Sequence, residues 1–151
     1  MELLITAQAD VNTARTDGGY SPLSMAVHHG HGNLVQLLID ARADVSKLSK
    51  NGATPLDVAA YGECADVVDL LITARADVNS VRTDTSGTPL SAAAHGGHTD
   101  VVELLIAARA DVNTHRTDGR GPTPLSIALA LGHADVAQRL RAARAIERRR
   151  G

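Results

Sequence analysis

Phenylalanine and tryptophan are absent and tyrosine occurs twice, so any core must be filled by aliphatic side chains and methyl groups. A sandwich or barrel built with so few rings would be unusual. The single cysteine, Cys64, excludes an internal disulfide and a thiolate metal cluster. No apolar run exceeds a few residues, far short of the roughly 20 that span a bilayer. Met1 to Ile5 carries Glu2 and no basic residue, unlike a secretory signal. Lysine is confined to Lys47 and Lys50, and neither belongs to a glycine-rich phosphate loop. Together these absences point to a reducing compartment, cytoplasmic or nuclear, and to a chain without a cofactor.

The aliphatic content is ample. Within 151 residues there are 17 Leu, 13 Val, 6 Ile and 25 Ala. A chain of that length buries about two-thirds of its surface as one domain. Abundant alanine suits short helices brought close together. The net charge of −2 hides an asymmetry: Met1 to Gln138 holds 9 Lys/Arg against 16 Asp/Glu, whereas Arg139 to Gly151 holds 6 Arg against Glu147. The total charge argues against general nucleic-acid affinity, and a local basic patch closes the chain.

The dominant feature is internal repetition. Ser21-Pro22-Leu23, Thr54-Pro55-Leu56, Thr88-Pro89-Leu90 and Thr123-Pro124-Leu125 place prolines 33, 34 and 35 residues apart. Ala-Asp recurs at Asp10, Asp44, Asp77 and Asp111, always 22 residues after the preceding proline where one exists. From Asp to the next proline the interval varies between 11 and 13. One part of the unit is therefore rigid and the other tolerates insertion. Ser/Thr-Pro-Leu reads as a helix start, with the hydroxyl as N-cap and proline at the first helical position. Glycines at Gly30, Gly62, Gly96-Gly97 and Gly132 end that helix after about two turns, and Leu34 to Ile39 with its copies forms a second. Asp66, Asp100 and Asp135 fall in the first turn of second helices, where negative charge is favoured.

A unit of this length, with Thr-Pro-Leu, Gly-His between helices and Ala-Asp-Val-Asn after the second, resembles the ankyrin repeat. The resemblance implies an all-α, ankyrin-type α-solenoid whose helix pairs are joined by β-hairpin fingers. It also implies a non-enzymatic module that binds another protein through those fingers and the concave first-helix face. We divide the single domain into a half repeat at 1–16 and repeats at about 17–49, 50–82, 83–117 and 118–151. The opening half unit reads as a fragment of a longer array, the alternative being a bare N-terminal cap. Val136, Leu140 and Ala143 keep an apolar stripe at the other end. Arg139 replaces the leucine of Leu37, Leu70 and Leu104 there, giving a polar terminal unit.

Three departures from the family pattern stand out. The usual histidine after Thr-Pro-Leu is Ser24, Asp57, Ser91 or Ser126, which leaves Asp57 the best placed for a capping box and questions the inter-unit network. Gln8, Arg42, Arg75 and Arg109 replace the glycine before Ala-Asp, costing roughly 1 kcal/mol each if φ is positive. Glu63 and Cys64 occupy the Gly-His place, so that turn should be the least regular.

Candidate partner contacts are Arg15, Asp17, Lys50, Arg82, Asp84, Arg116, Asp118 and Arg120 on the fingers. His28, Tyr61 and His95 join them, seven residues after their caps in a row that Ala130 continues. Against this, Asp and Gly serve turn geometry in ordinary solvated loops, and Tyr61 could simply cover alanines. A metal at His28-His29-Gly30-His31 is set aside, because adjacent histidines do not converge on one ion. His31, His98 and His133 recur at a turn position and read as structural, and His29 as solvent-facing. No catalytic residue emerges, since the serines cap helices and Cys64 has no paired base. Two readings compete with protein binding. One is a spacer segment with no partner of its own. The other is contact of the terminal arginines with nucleic acid or an acidic surface, which no accompanying aromatic supports. The expected state is a monomer without a small-molecule substrate.

Overall fold

Every first helix starts where a hydroxyl residue precedes proline. Ser21, Thr54, Thr88 and Thr123 are extended, and each side-chain oxygen accepts a hydrogen bond from the backbone N–H three residues on, at 3.1, 3.1, 3.3 and 3.1 Å. The helices so capped are α1 (Pro22–His28), α3 (Pro55–Tyr61), α5 (Pro89–Gly96) and α7 (Pro124–Ala130). They alternate with the second helices α2 (Gly32–Asp40), α4 (Ala65–Thr73), α6 (Thr99–Ala107) and α8 (Ala134–Arg150). These elements come from a computed structural model that describes residues 11–13, 19–85, 87–114 and 121–150.

First helices pack on first helices and second on second, so each unit completes the core of its neighbour. Leu23, Leu56 and Leu90 are fully buried in the first layer, together with Ala59, Ala60, Ala93, Ala94 and Ala128. Val35, Leu38, Val68, Leu71, Val102, Leu105, Ala137 and Leu140 fill the second. At such a packed alanine, a larger side chain typically costs about 1–3 kcal/mol. Val136, Leu140 and Ala143 are buried in the last unit as expected, and Arg139 binds Glu103 of α6 at 2.8 Å on the outer side.

Polar rungs cross the unit boundaries. The His98 ring nitrogen lies 2.9 Å from the Tyr61 carbonyl, and that of His133 lies 3.1 Å from the His95 carbonyl, which gives these turn histidines the structural role read for them. Cys64 stands at the corresponding place and contacts its own turn instead, at Gly62. In the loops, Asn12 Oδ1 accepts from the Asp44 N–H at 2.7 Å, and Asn79 Oδ1 from the Asp111 N–H at 2.8 Å. Ser46 replaces that asparagine in the intervening unit and hydrogen-bonds Asp44. The hydroxyl network questioned above persists at the edge of hydrogen-bond range, with Thr54 to Ser80 and Thr88 to Thr114 both at 3.5 Å.

The inter-helix turn of the second unit keeps the common path, contrary to expectation. Gly62 has φ −91° and ψ 10°, against −92° and 3° at His29 and −93° and −3° at Leu131. Its departure lies in Glu63, which is left-handed at φ 59° where the other units use Gly30, Gly97 and Gly132.

The expected β-hairpin fingers are not formed: no strand occurs among the described residues. The reason is that local partners take the backbone groups a ladder would need. Asp44 and Asp77 side chains accept from the N–H two residues ahead, and the Lys47 and Ser80 N–H groups turn back to the Asp44 and Asp77 carbonyls. Farther on, Ser49 and Ala53 close one short loop and Arg82 and Gly87 another. The fold is thus an all-α solenoid whose helix pairs are joined by turn-rich loops.

Second helices end in a Schellman arrangement. The N–H groups of Ala43, Ala76 and Ala110 return to Leu38, Leu71 and Leu105, each at 2.9 Å. This places Arg42, Arg75 and Arg109 at φ 66°, 65° and 69°, in the left-handed region that favours glycine. Arg42→Gly, Arg75→Gly and Arg109→Gly should each raise the unfolding free energy in urea by roughly 1 kcal/mol, additively across the three distant sites. No gain at any of them would mean that arginine's attraction to the helix C-terminus outweighs the strain.

Candidate functional site

The ends of the first helices put His28, Tyr61 and His95 on one face. His28 and Tyr61 close α1 and α3, and His95 is the penultimate residue of α5. All three are exposed, Tyr61 by 57 %. The Tyr61 and His95 rings lie 5.8 Å apart, tilted by 33°. Ala130, at the fourth position of the row, ends the line of rings.

The loop before α5 brings Arg82 to the same face. Its Nε donates to Asp84 Oδ1 at 2.9 Å and its Nη2 to Asp84 Oδ2 at 2.7 Å, a two-point pairing that fixes the guanidinium plane. This pairing holds the Asp84 carboxyl down at about 2. The interaction is therefore complete above the ordinary carboxylate value of 3.8 and is lost as pH falls towards 2.

Two adjoining grooves open here, of about 300 and 310 Å³. Tyr61 and Arg82 line both. The first groove adds His95, Thr85, Ser91 and Thr114, with Ile127 and Pro122 among its apolar lining. The second adds His28, Tyr20, Asn51 and Asp57. Four of the residues singled out from sequence (His28, Tyr61, Arg82 and His95) thus meet along one surface. Asp84 reaches it only through Arg82. Lys50 is exposed, lines neither groove and lies against Gly19. Arg15, Asp17, Arg116, Asp118 and Arg120 lie outside the described residues.

Asp57 was legible only as a cap. Thr54 donates to its Oδ2 from the backbone at 2.8 Å and from the hydroxyl at 2.9 Å, while the Asp57 N–H donates to Thr54 Oγ1. That is the capping box expected of this residue. Its other oxygen, Oδ1, is buried with no hydrogen-bond partner among the described residues. Burial raises the Asp57 pKa, against the opposing pull of the Thr54 hydrogen bonds and of Arg82. Tyr20, Thr85, Ser91 and Thr114 were also missed. Only Tyr20 gave a sequence signal, as the chain's other aromatic.

A family model for ankyrin repeats (3 copies) matches residues 1–82 and 80–148. The chain belongs to the ankyrin-repeat family. No curated protein gives a significant match. As an ankyrin-repeat chain it is a scaffold for protein–protein interaction. No group of three or more His, Cys, Asp or Glu placed to hold a metal occurs among the described residues. The His28, His29 and His31 rings instead contact one another in pairs, at 5.1 and 5.8 Å. No helix of the described ankyrin units is long and apolar enough to cross a membrane.

The raised Asp57 pKa has a definite sign in stability. The folded chain holds this proton more tightly than the unfolded chain, so the contribution of the group falls as pH rises from 3.8 through the folded value. Asp57→Asn removes the titration. The unfolding free energy of the variant relative to the parent should shift in the variant's favour between about pH 3 and about pH 7 in urea titrations. An unchanged difference would show that the carboxyl titrates alike in both states.

Proposed function

We propose that this ankyrin-repeat chain captures a partner protein along the first-helix face, with Tyr61 and Arg82 at the centre and His28 and His95 on either side. The observation that carries the reading is that Tyr61 and Arg82 are shared by two adjoining grooves. Tyrosine and arginine are both enriched at the energetic centre of interfaces. Arg82 is already fixed by Asp84, so little side-chain entropy remains to be lost on binding. Threonine and serine hydroxyls on the loop side supply hydrogen bonds, and Ile127 and Pro122 supply apolar contact. The charged loop residues, Lys50 among them, act at the rim, where they steer association more than they hold the complex. The chain works as a monomer in this reading.

The test is a pull-down with the chain as bait, compared with the quadruple variant Tyr61→Ala, Arg82→Ala, Asp84→Ala, His95→Ala. Captured protein should fall by at least about tenfold, as loss of a central cluster predicts. Capture by the parent should persist at moderate salt, where contact through the terminal arginines would collapse. Equal capture by both baits would contradict the reading, and absence of any specific partner would favour a spacer role.

A further inference from the structure

Resting on the protein-binding reading above, we propose that the groove lined by Tyr61, Arg82 and His95 receives a proline-rich segment of the partner, laid down as an extended polyproline helix. The first observation is an excess of hydrogen-bond donors. Arg82 spends two N–H groups on Asp84, and the three that remain have no partner among the described residues. The Tyr61 hydroxyl has none there either. The hydroxyls of the opposite side are already engaged with one another: Thr88 Oγ1 lies 3.3 Å from Ser91 Oγ and 3.5 Å from Thr114 Oγ1, and Thr114 donates to the Asp111 carbonyl at 3.2 Å. A segment that displaces water from this groove must therefore bring acceptors, and finds few in return.

An ordinary peptide segment brings one N–H with every carbonyl, and against such a wall its N–H groups would be desolvated without acceptors. Proline brings the carbonyl alone. A polyproline helix leaves those carbonyls free of internal hydrogen bonds, and its pyrrolidine rings dock on exposed aromatic faces. The groove of about 300 Å³ supplies the faces. Tyr61 and His95 are both exposed, with rings 5.8 Å apart and tilted by 33°, and Pro122 and Ile127 add apolar lining.

Charge separates this occupant from an acidic one. Arg82 is the only Lys or Arg among the described lining residues, and Asp84 sits 2.7 Å from its Nη2. A partner carboxylate on the open edge of the guanidinium would meet that second negative charge, whereas a neutral carbonyl takes the same hydrogen bonds without it. Entropy favours the same choice. Asp84 has already fixed Arg82, and a polyproline helix is extended before it docks, so neither side has much freedom to lose.

The chain reports on this groove itself, because with no tryptophan its intrinsic emission comes from Tyr20 and Tyr61 alone. The probe is acetylated octaproline amide, titrated at constant ionic strength beside a glycine–serine octapeptide and octaglutamate, all without aromatic residues. Tyrosine emission should change saturably with octaproline, and the affinity should be at least about tenfold weaker for either control peptide and for Arg82→Ala. If circular dichroism shows that variant unfolded, His95→Ala, which removes an exposed ring, takes its place with the same expectation. No saturable response to octaproline, an equal response to the glycine–serine peptide, or an equal response in the folded variant would overturn the proposal. Tighter binding of octaglutamate would overturn it in favour of an acidic segment. The probes need no protein partner, so failure here is distinct from failure of the pull-down, which would still report capture through other chemistry.

Discussion

A helix of seven to nine residues has almost no stability of its own in water, because the cost of nucleating it is spread over too few hydrogen bonds. All of the helices described except the last are of that length. They persist because each lays an apolar side on the next unit, and the closeness of that contact depends on alanine. Ala59, Ala60, Ala93, Ala94 and Ala128 are fully buried in the first layer, where a larger residue would separate neighbours. Near-absence of rings in the interior follows from the same requirement. It also leaves the two tyrosines free to serve a surface.

Stacking fixes the units in register, and the polar rungs refine it. Histidine nitrogens reach back to the carbonyls that close the preceding first helices, and asparagine oxygens reach forward to the N–H of the next aspartate. The ladder has gaps at Cys64 and Ser46, and left-handed strain at Arg42, Arg75, Arg109 and Glu63. Such sequences lie below their attainable stability, as natural repeats commonly do. The binding surface inherits its geometry from the ladder. Tyr61 and His95 face one another because the carbonyls of those same two residues are held by His98 and His133.

Much of this was legible because it is local or periodic. The caps at Ser21, Thr54, Thr88 and Thr123 follow from a hydroxyl before proline, and the positive φ at Arg42, Arg75 and Arg109 from their place before Ala-Asp. The row of His28, Tyr61 and His95 follows from counting seven residues on from each cap. The β-hairpins expected by resemblance do not form among the described residues, because Asp side chains and short turns satisfy the loop backbone first. Nor could counting reveal that Asp57, readable as a cap through one oxygen, would bury the other without a donor. That depends on how residues distant in sequence close around it, and spacing along the chain does not encode such closure.

The interdependence of units is tested most directly by far-UV circular dichroism of the isolated unit 50–82 beside the whole chain. If stacking carries the fold, the isolated unit is predominantly coil while the whole chain is helical and unfolds cooperatively. A folded helical spectrum from the single unit would contradict this, and would locate the stability inside each helix pair instead of between neighbours.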